Sequence, residues 1–137
     1  MKINELRIGN IVRIGRDHAV VNRIESNGIG FDRADNFGPD YIKIEKVEGV
    51  PITEKRLLLV GFEKGKFGNL SIDFGDSILI LIPSHVFFYP VYSMYSELHA
   101  EENQDVHLNR IQYMHELQNL YFTLRGEELI KTSENEK

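Results

Sequence analysis

The stretch Asn109 to Gly126 constrains this chain more than any other, because its ends and its faces can all be read from the residue order. Asn109 offers an N-cap, Gln112 stands three residues on where a capping box wants it, and Gly126 follows Arg125 as a left-handed stop. At about 100° per residue, Tyr113, Met114, Leu117, Leu120, Tyr121 and Leu124 gather on one broad face, with Gln112, Glu116, Asn119 and Thr123 opposite. A second stripe of Ile111, His115, Gln118 and Phe122 lies beside the first, so the apolar arc is wider than one surface needs. The helix is expected to rest on a sheet through the first stripe. Through the second it either seals two lobes of the protein together or meets a partner.

The preceding chain supplies strand patterns. Leu6 to about Arg33 reads as a β-meander: Ile11 to Ile14 alternates, Gly15-Arg16-Asp17 turns, His18 to Glu25 alternates, Ser26-Asn27-Gly28 turns, and Ile29 to Arg33 resumes. Asn27-Gly28 is the strongest hairpin signal. Ala34 to Asp40 is expected as a loop and Tyr41 to Ile44 as a returning strand. Gly9-Asn10 before Ile11-Val12, then strand, tight turn and strand, resembles the opening of small SH3-like or KOW-like barrels. That resemblance implies a fold and no function.

Thr53 caps a short helix, Glu54 favours its first turn, Ile52 is placed to staple onto Leu57, and Gly61 ends it before Phe62 folds back. Its Leu57 to Val60 run is too apolar for a surface helix and predicts a plug in a core. From Phe62 the period becomes two. Gly65 to Asn69 turns, Leu70 to Phe74 alternates, Gly75-Asp76 turns, and Ile78 to Ile82 is a continuous apolar run that predicts a strand covered on both faces. Val86 to Tyr92 is the next strand, Ser93 to Asp105 an acidic excursion, and Val106 to Leu108 a last short strand. The fold class read from this pattern is α+β: an SH3-like β-meander over residues 1–50, then over residues 51–130 a short helix, an antiparallel sheet and the long C-terminal helix, sharing a core with the first lobe. Residues 131–137 are expected to be disordered.

Composition narrows the chemistry. With no Cys, disulfides, thiolate metal sites and cysteine nucleophiles are excluded, which suits a reducing cytoplasm. The balance of 16 basic and 21 acidic residues weighs against broad phosphate-driven binding to nucleic acid. The N-terminus lacks the pattern of a signal peptide, and no apolar run approaches the ~20 residues of a membrane span. A soluble cytoplasmic protein with no membrane association is expected.

No motif reaches the specificity of a catalytic or cofactor signature. Asp73-Phe74-Gly75 spells the magnesium tripeptide of protein kinases, but the companion loops are missing, and the residues read as strand and turn. Gly65-Lys66-Phe67-Gly68-Asn69 lacks the Gly-Lys-Ser/Thr and helix of a phosphate loop and reads as a hairpin turn. The five histidines, His18, His85, His99, His107 and His115, show no i, i+4 pair. Ser84-His85 lacks a nucleophile elbow. Arg7, Arg13, Arg16 and Arg23 make the first lobe the more basic one and form a candidate nucleic-acid face, although Glu5, Asp17, Glu25 and Asp32 interleave with them. Tyr89, Tyr92 and Tyr95 are candidates for an aromatic groove that takes a peptide or a base.

Leu6-Arg7-Ile8-Gly9-Asn10, Pro51-Ile52-Thr53-Glu54 with Leu58 and Gly61-Phe62, and Tyr113 to Phe122 closing on Leu124, Gly126, Glu128 and Leu129 together resemble a group of small uncharacterised bacterial proteins. These also occur in phage and prophage genomes. Glu116 stands where relatives tend to have Gln, and Met114, Thr123 and Arg125 also depart from the pattern. The resemblance implies a fold and a mobile-element origin, with no catalytic residues and no cofactor. The reading reached is a non-catalytic interaction or accessory module, able to self-associate, with Ile111, His115, Gln118 and Phe122 as the candidate partner surface. The alternative is a nucleic-acid-binding accessory protein that uses the arginines of the first lobe.

Overall fold

A computed structural model describes residues 1–32, 40–94 and 104–129 of the chain. It contains two compact units, one formed by Met1–Pro51 with Tyr113–Leu129 and the other by Ile52–Gln112. The helix near the C-terminus is grouped with the first unit. The expected loop at Ala34 to Asp40, apart from Asp40 itself, and the 131–137 tail lie outside the described residues.

In the first unit, β1 (Ile11–Ile14), β2 (Asp17–Ile24), β3 (Gly28–Asp32), β4 (Tyr41–Lys43) and β5 (Val47–Gly49) form an antiparallel sheet in the order β4-β3-β2-β1-β5. The period of two sorts the side chains. Val12 and Ile14 on β1, Ala19 and Val21 on β2, Ile29 and Phe31 on β3 and Val47 on β5 turn inward to a core that also takes Leu6. A bulge between Val21 and Arg23 resets the β2–β3 register. Gly15 turns β1 into β2 at φ 63°. Gly28 is needed for a different reason: a Cβ there would lie 2.2 Å from the Ile42 carbonyl oxygen, so the glycine lets β4 pair against β3. A 3-10 turn, Ile44–Lys46, joins β4 to β5.

The long helix, α2, runs Met114–Arg125, with its N-cap at Tyr113, four residues later than the sequence pattern suggests. Residues before it are held as extended chain. Ile111 exchanges both backbone hydrogen bonds with Phe88, and the Gln112 carbonyl accepts from the Ile52 N–H. Asn109 and Gln112 therefore cannot form the cap. The helix starts where Tyr113 N–H donates to the Glu116 carboxylate at 3.0 Å, so Glu116 takes the role assigned to Gln112. Met114 N–H donates to Val50 O, which ties the first turn to the end of β5. Gly126 closes the helix at φ 72°, as expected.

In the second unit, α1 (Glu54–Leu59) is capped by Thr53, whose Oγ1 accepts from Arg56 N–H at 3.2 Å. The Phe62 N–H donates back to Leu57 O past Gly61. Leu57 is fully buried, whereas Leu58 is exposed. Then β6 (Glu63–Lys64), β7 (Leu70–Asp73), β8 (Ser77–Ser84), β9 (Phe87–Met94) and β10 (Gln104–His107) form a second antiparallel sheet, order β10-β9-β8-β7-β6. Register assigns its faces. The inner face carries Leu70, Leu79, Leu81, Phe88 and Pro90, all buried, and the outer face carries Ile78, Ile80, Ile82, Phe87, Tyr89 and Val91. The strand through Ile78 to Ile82 is thus not covered on both faces. Its burial alternates, with Leu79 and Leu81 at 0% exposure and Ile82 at 39%.

Replacing Gly28 by Ala should lower stability by about 2–3 kcal/mol, because the added methyl meets backbone that cannot swing aside. Gly15→Ala, with open space around its Cβ, should cost only about 1 kcal/mol of left-handed strain. Urea unfolding of the two variants checks the order.

Candidate functional site

The densest polar cluster of the first unit joins α2 to the segment that enters β1. Gln118 and Asn119 lie on the helix face toward that segment and act as a pair. The Gln118 Oε1 accepts the Ile11 N–H at 2.8 Å, and its Nε2 donates to the Gly9 carbonyl at 3.1 Å. Asn119 Nδ2 donates to the Glu5 carbonyl at 2.9 Å, while its Oδ1 accepts from Asn10 Nδ2 at 2.8 Å and Arg7 Nε at 3.3 Å. Asn10, fully buried, accepts the Arg7 N–H on its own Oδ1 at 2.7 Å. Gly9 takes φ 98° and donates its N–H to Val21 O, and Val21 N–H returns to Asn10 O. The segment Leu6 to Asn10 is therefore held from β2 on one side and from α2 on the other.

Arg7 closes the cluster at the surface. Its guanidinium meets both oxygens of Glu128 and lies 4.3 Å from the Phe122 ring centroid. Below it, His115 is 1% exposed, stacks on Tyr113 at 5.8 Å between ring centroids, and has no hydrogen bond on either ring nitrogen. Its Nε2 is 3.8 Å from a Glu5 carboxylate oxygen. Burial pushes the imidazole pKa below its usual value, against the opposing pull of Glu116 and Glu5. Burial thus favours the neutral imidazole over the charged one.

The residues singled out in the sequence are dispersed. Of the candidate partner stripe, His115 and Gln118 are buried among the first unit's own groups, Ile111 is buried in the second unit beside Phe88, and only Phe122 is exposed, at 39%. The stripe is not a continuous surface, because the helix starts after Ile111. Of the four arginines, Arg7 pairs with Glu128, Arg13 with Glu48 and Arg23 with Glu25, while Arg16 sits exposed in the β1–β2 turn. Three of the four arginines thus have glutamate partners, of which only Glu25 is one of the interleaved acids. The aromatic groove is also corrected. Tyr89 and Tyr92 are three apart on one strand and so point to opposite faces; Tyr89 is exposed on the outer face, and Tyr92 shares a 2.8 Å hydrogen bond with Ser77 on the inner one. Tyr95 lies outside the described residues, as does His99.

Asp73 Oδ1 accepts the Gly75 N–H at 2.8 Å, which is turn chemistry. Among the described residues no cluster of three or more His, Cys, Asp or Glu could hold a metal ion, and no helix is long and apolar enough to cross a membrane. Sequence reasoning missed Asn10, Asn119 and Glu128 as members of the polar cluster, and it missed Phe67, which is 95% exposed in the β6–β7 turn. The signal available was the polar Gln118-Asn119 pair on a helix with an otherwise apolar arc. No family model, no curated protein and no solved structure matches the chain.

Gln118→Ala should cost about 1–3 kcal/mol, since it strands the half-buried Ile11 N–H and Gly9 carbonyl, and chemical unfolding measures it. For His115 the unfolded chain binds the proton more readily than the folded one. The stability it leaves intact is therefore full above the ordinary histidine pKa of about 6.5 and declines as pH falls through that value toward the lowered folded pKa. His115→Leu should change stability by within about 1 kcal/mol at neutral pH and flatten the melting temperature between pH 7 and pH 5, as thermal melts across that range would show.

Proposed function

We propose that the chain is a non-catalytic interaction module that acts through exposed aromatic side chains on a rigid β scaffold. One observation carries the reading: Phe67, 95% exposed, sits at φ 63° in the Lys66–Gly68 turn between β6 and β7. A bulky side chain in the left-handed region is strained, and an aromatic ring in water gains nothing from its own fold. Such a residue has value where a second molecule covers it. The turn around it is anchored, since Gly65 N–H donates to Asn69 O at 2.7 Å.

The first unit is proposed to be an SH3-like barrel that supplies rigidity. The order β4-β3-β2-β1-β5, with a 3-10 turn between β4 and β5, supports that assignment. A nucleic-acid role through Arg7, Arg13, Arg16 and Arg23 has less support, given the glutamate partners of three of them.

Phe67→Asn tests the reading, because Asn tolerates the left-handed region and removes the ring. The variant should be more stable by about 0.5–1 kcal/mol and lose a protein partner that the wild type retains from nuclease-treated host lysate. Retention unchanged by the substitution, or recovery of nucleic acid alone, would sink it.

A further inference from the structure

Register places Ile78, Ile80 and Ile82 of β8 and Phe87, Tyr89 and Val91 of β9 on the outer face of the second sheet. Ile82 and Tyr89, directly opposite each other, are 39% and 42% exposed. Neighbouring columns bring little charge to the centre. On β7 the outer-face positions are Ser71 and Asp73, on β10 they are Asp105 and His107, and on the short edge strand β6 the exposed Glu63 lies beside Ser71. The other charges sit at the ends. Asp73 and Asp105 flank the row of Ile78 and Ser93, whereas at the far end the Arg110 guanidinium lies over the Phe87 ring at 4.0 Å.

We propose that this outer face is a self-association surface that stacks on the same face of a second copy of the chain. A two-fold axis lying in the interface and running across the strands turns the strand directions over. The Asp105 end of one copy then covers the Arg110 end of the other, twice, with Ile80, Ile82 and Tyr89 between them; Val91 and Ser93 on the same face are already buried within the chain. A two-fold axis along the strands would reverse the strand order and set the Asp105 side of one copy over the Asp73 side of the other, and like charges would oppose it. The five strands hold 2, 4, 8, 8 and 4 residues, which at roughly 3.3 Å along and 4.8 Å across a strand give a footprint of roughly 400 Å² a side. This is below the size of a standard interface and in the range of weak, transient contacts, so the dimer should be weak and concentration-dependent. The inference rests on the interaction reading only in taking the chain to act through exposed surfaces; Phe67 is not part of this face.

Sedimentation velocity on the purified full chain, from micromolar to submillimolar concentration at low and high salt, tests it. A reversible monomer–dimer equilibrium is expected, weakened at least about tenfold by Ile82→Lys and by Tyr89→Lys. Asp105→Arg should weaken it about tenfold, and adding Arg110→Asp should restore it to within about threefold. Circular dichroism checks each variant. Should Ile82→Lys fail to fold, Tyr89→Lys at its more exposed position and the charge exchange decide. A monomer at every concentration, a dimer indifferent to both lysines, or a double exchange no better than the single one overturns the proposal. A monomer that still loses its partner on Phe67→Asn overturns it while leaving the interaction reading in place.

Discussion

The side-chain amide of Gln118 is the contact on which the first unit turns. It bonds the Ile11 N–H and the Gly9 carbonyl, backbone groups on either side of Asn10, where β1 begins. A helix packed on a sheet by apolar contacts alone can slide, because dispersion and hydrophobic forces are weakly directional. An amide that uses a donor and an acceptor on one strand entry has a single register in which both are satisfied. Asn119, one residue on, repeats the logic by bonding Glu5, Arg7 and Asn10. The pair converts a greasy contact into a located one, and the penalty for leaving any of these buried groups unpaired enforces it.

That arrangement explains why two sequence blocks far apart in the chain stand out together. The Leu6-Arg7-Ile8-Gly9-Asn10 block supplies a left-handed glycine and a buried asparagine, and the Gln118-Asn119 pair supplies their partners. His115 on the same helix has no such partner. Its ring is buried by the same packing that seats Gln118, and the cost appears as a depressed pKa and two unsatisfied nitrogens. A strong proton site beside Glu5 would demand a shorter approach than 3.8 Å.

The strands were legible because alternation, glycine turns and capping are local. The meander through Ile11–Ile14, Asp17–Ile24 and Gly28–Asp32 follows its pattern to within a residue or two, and Thr53 caps α1 as its chemistry requires. The start of α2 was not legible. Asn109 and Gln112 satisfy the local rule, but Phe88 and Ile52 claim the backbone around them, and those partners are distant in sequence. The polar cluster was hidden for the same reason, since a helical wheel shows that Gln118 shares a stripe with Phe122 and not that Gly9 waits opposite. For the aromatic groove the deciding arithmetic was legible but overlooked: Tyr89 and Tyr92 differ by an odd number on one strand and cannot share a face.

The placement of exposed apolar groups in the second sheet has a further consequence. A sheet can recruit another chain by its edge or by its face, and edges are usually the greater hazard. Here the terminal strands are short: β6 has two residues and β10 four, and beyond β10 the Leu108 N–H already donates to Pro90 O. Few unpaired backbone groups remain in line there to template an added strand. The outer face offers the reverse balance, with long central strands of eight residues each and three isoleucines in a row on β8. Association through a face also closes on itself, because each copy covers the same face of the other, whereas an edge can add chains without limit. Short edges beside a bare apolar face therefore favour a closed pair over an open fibre.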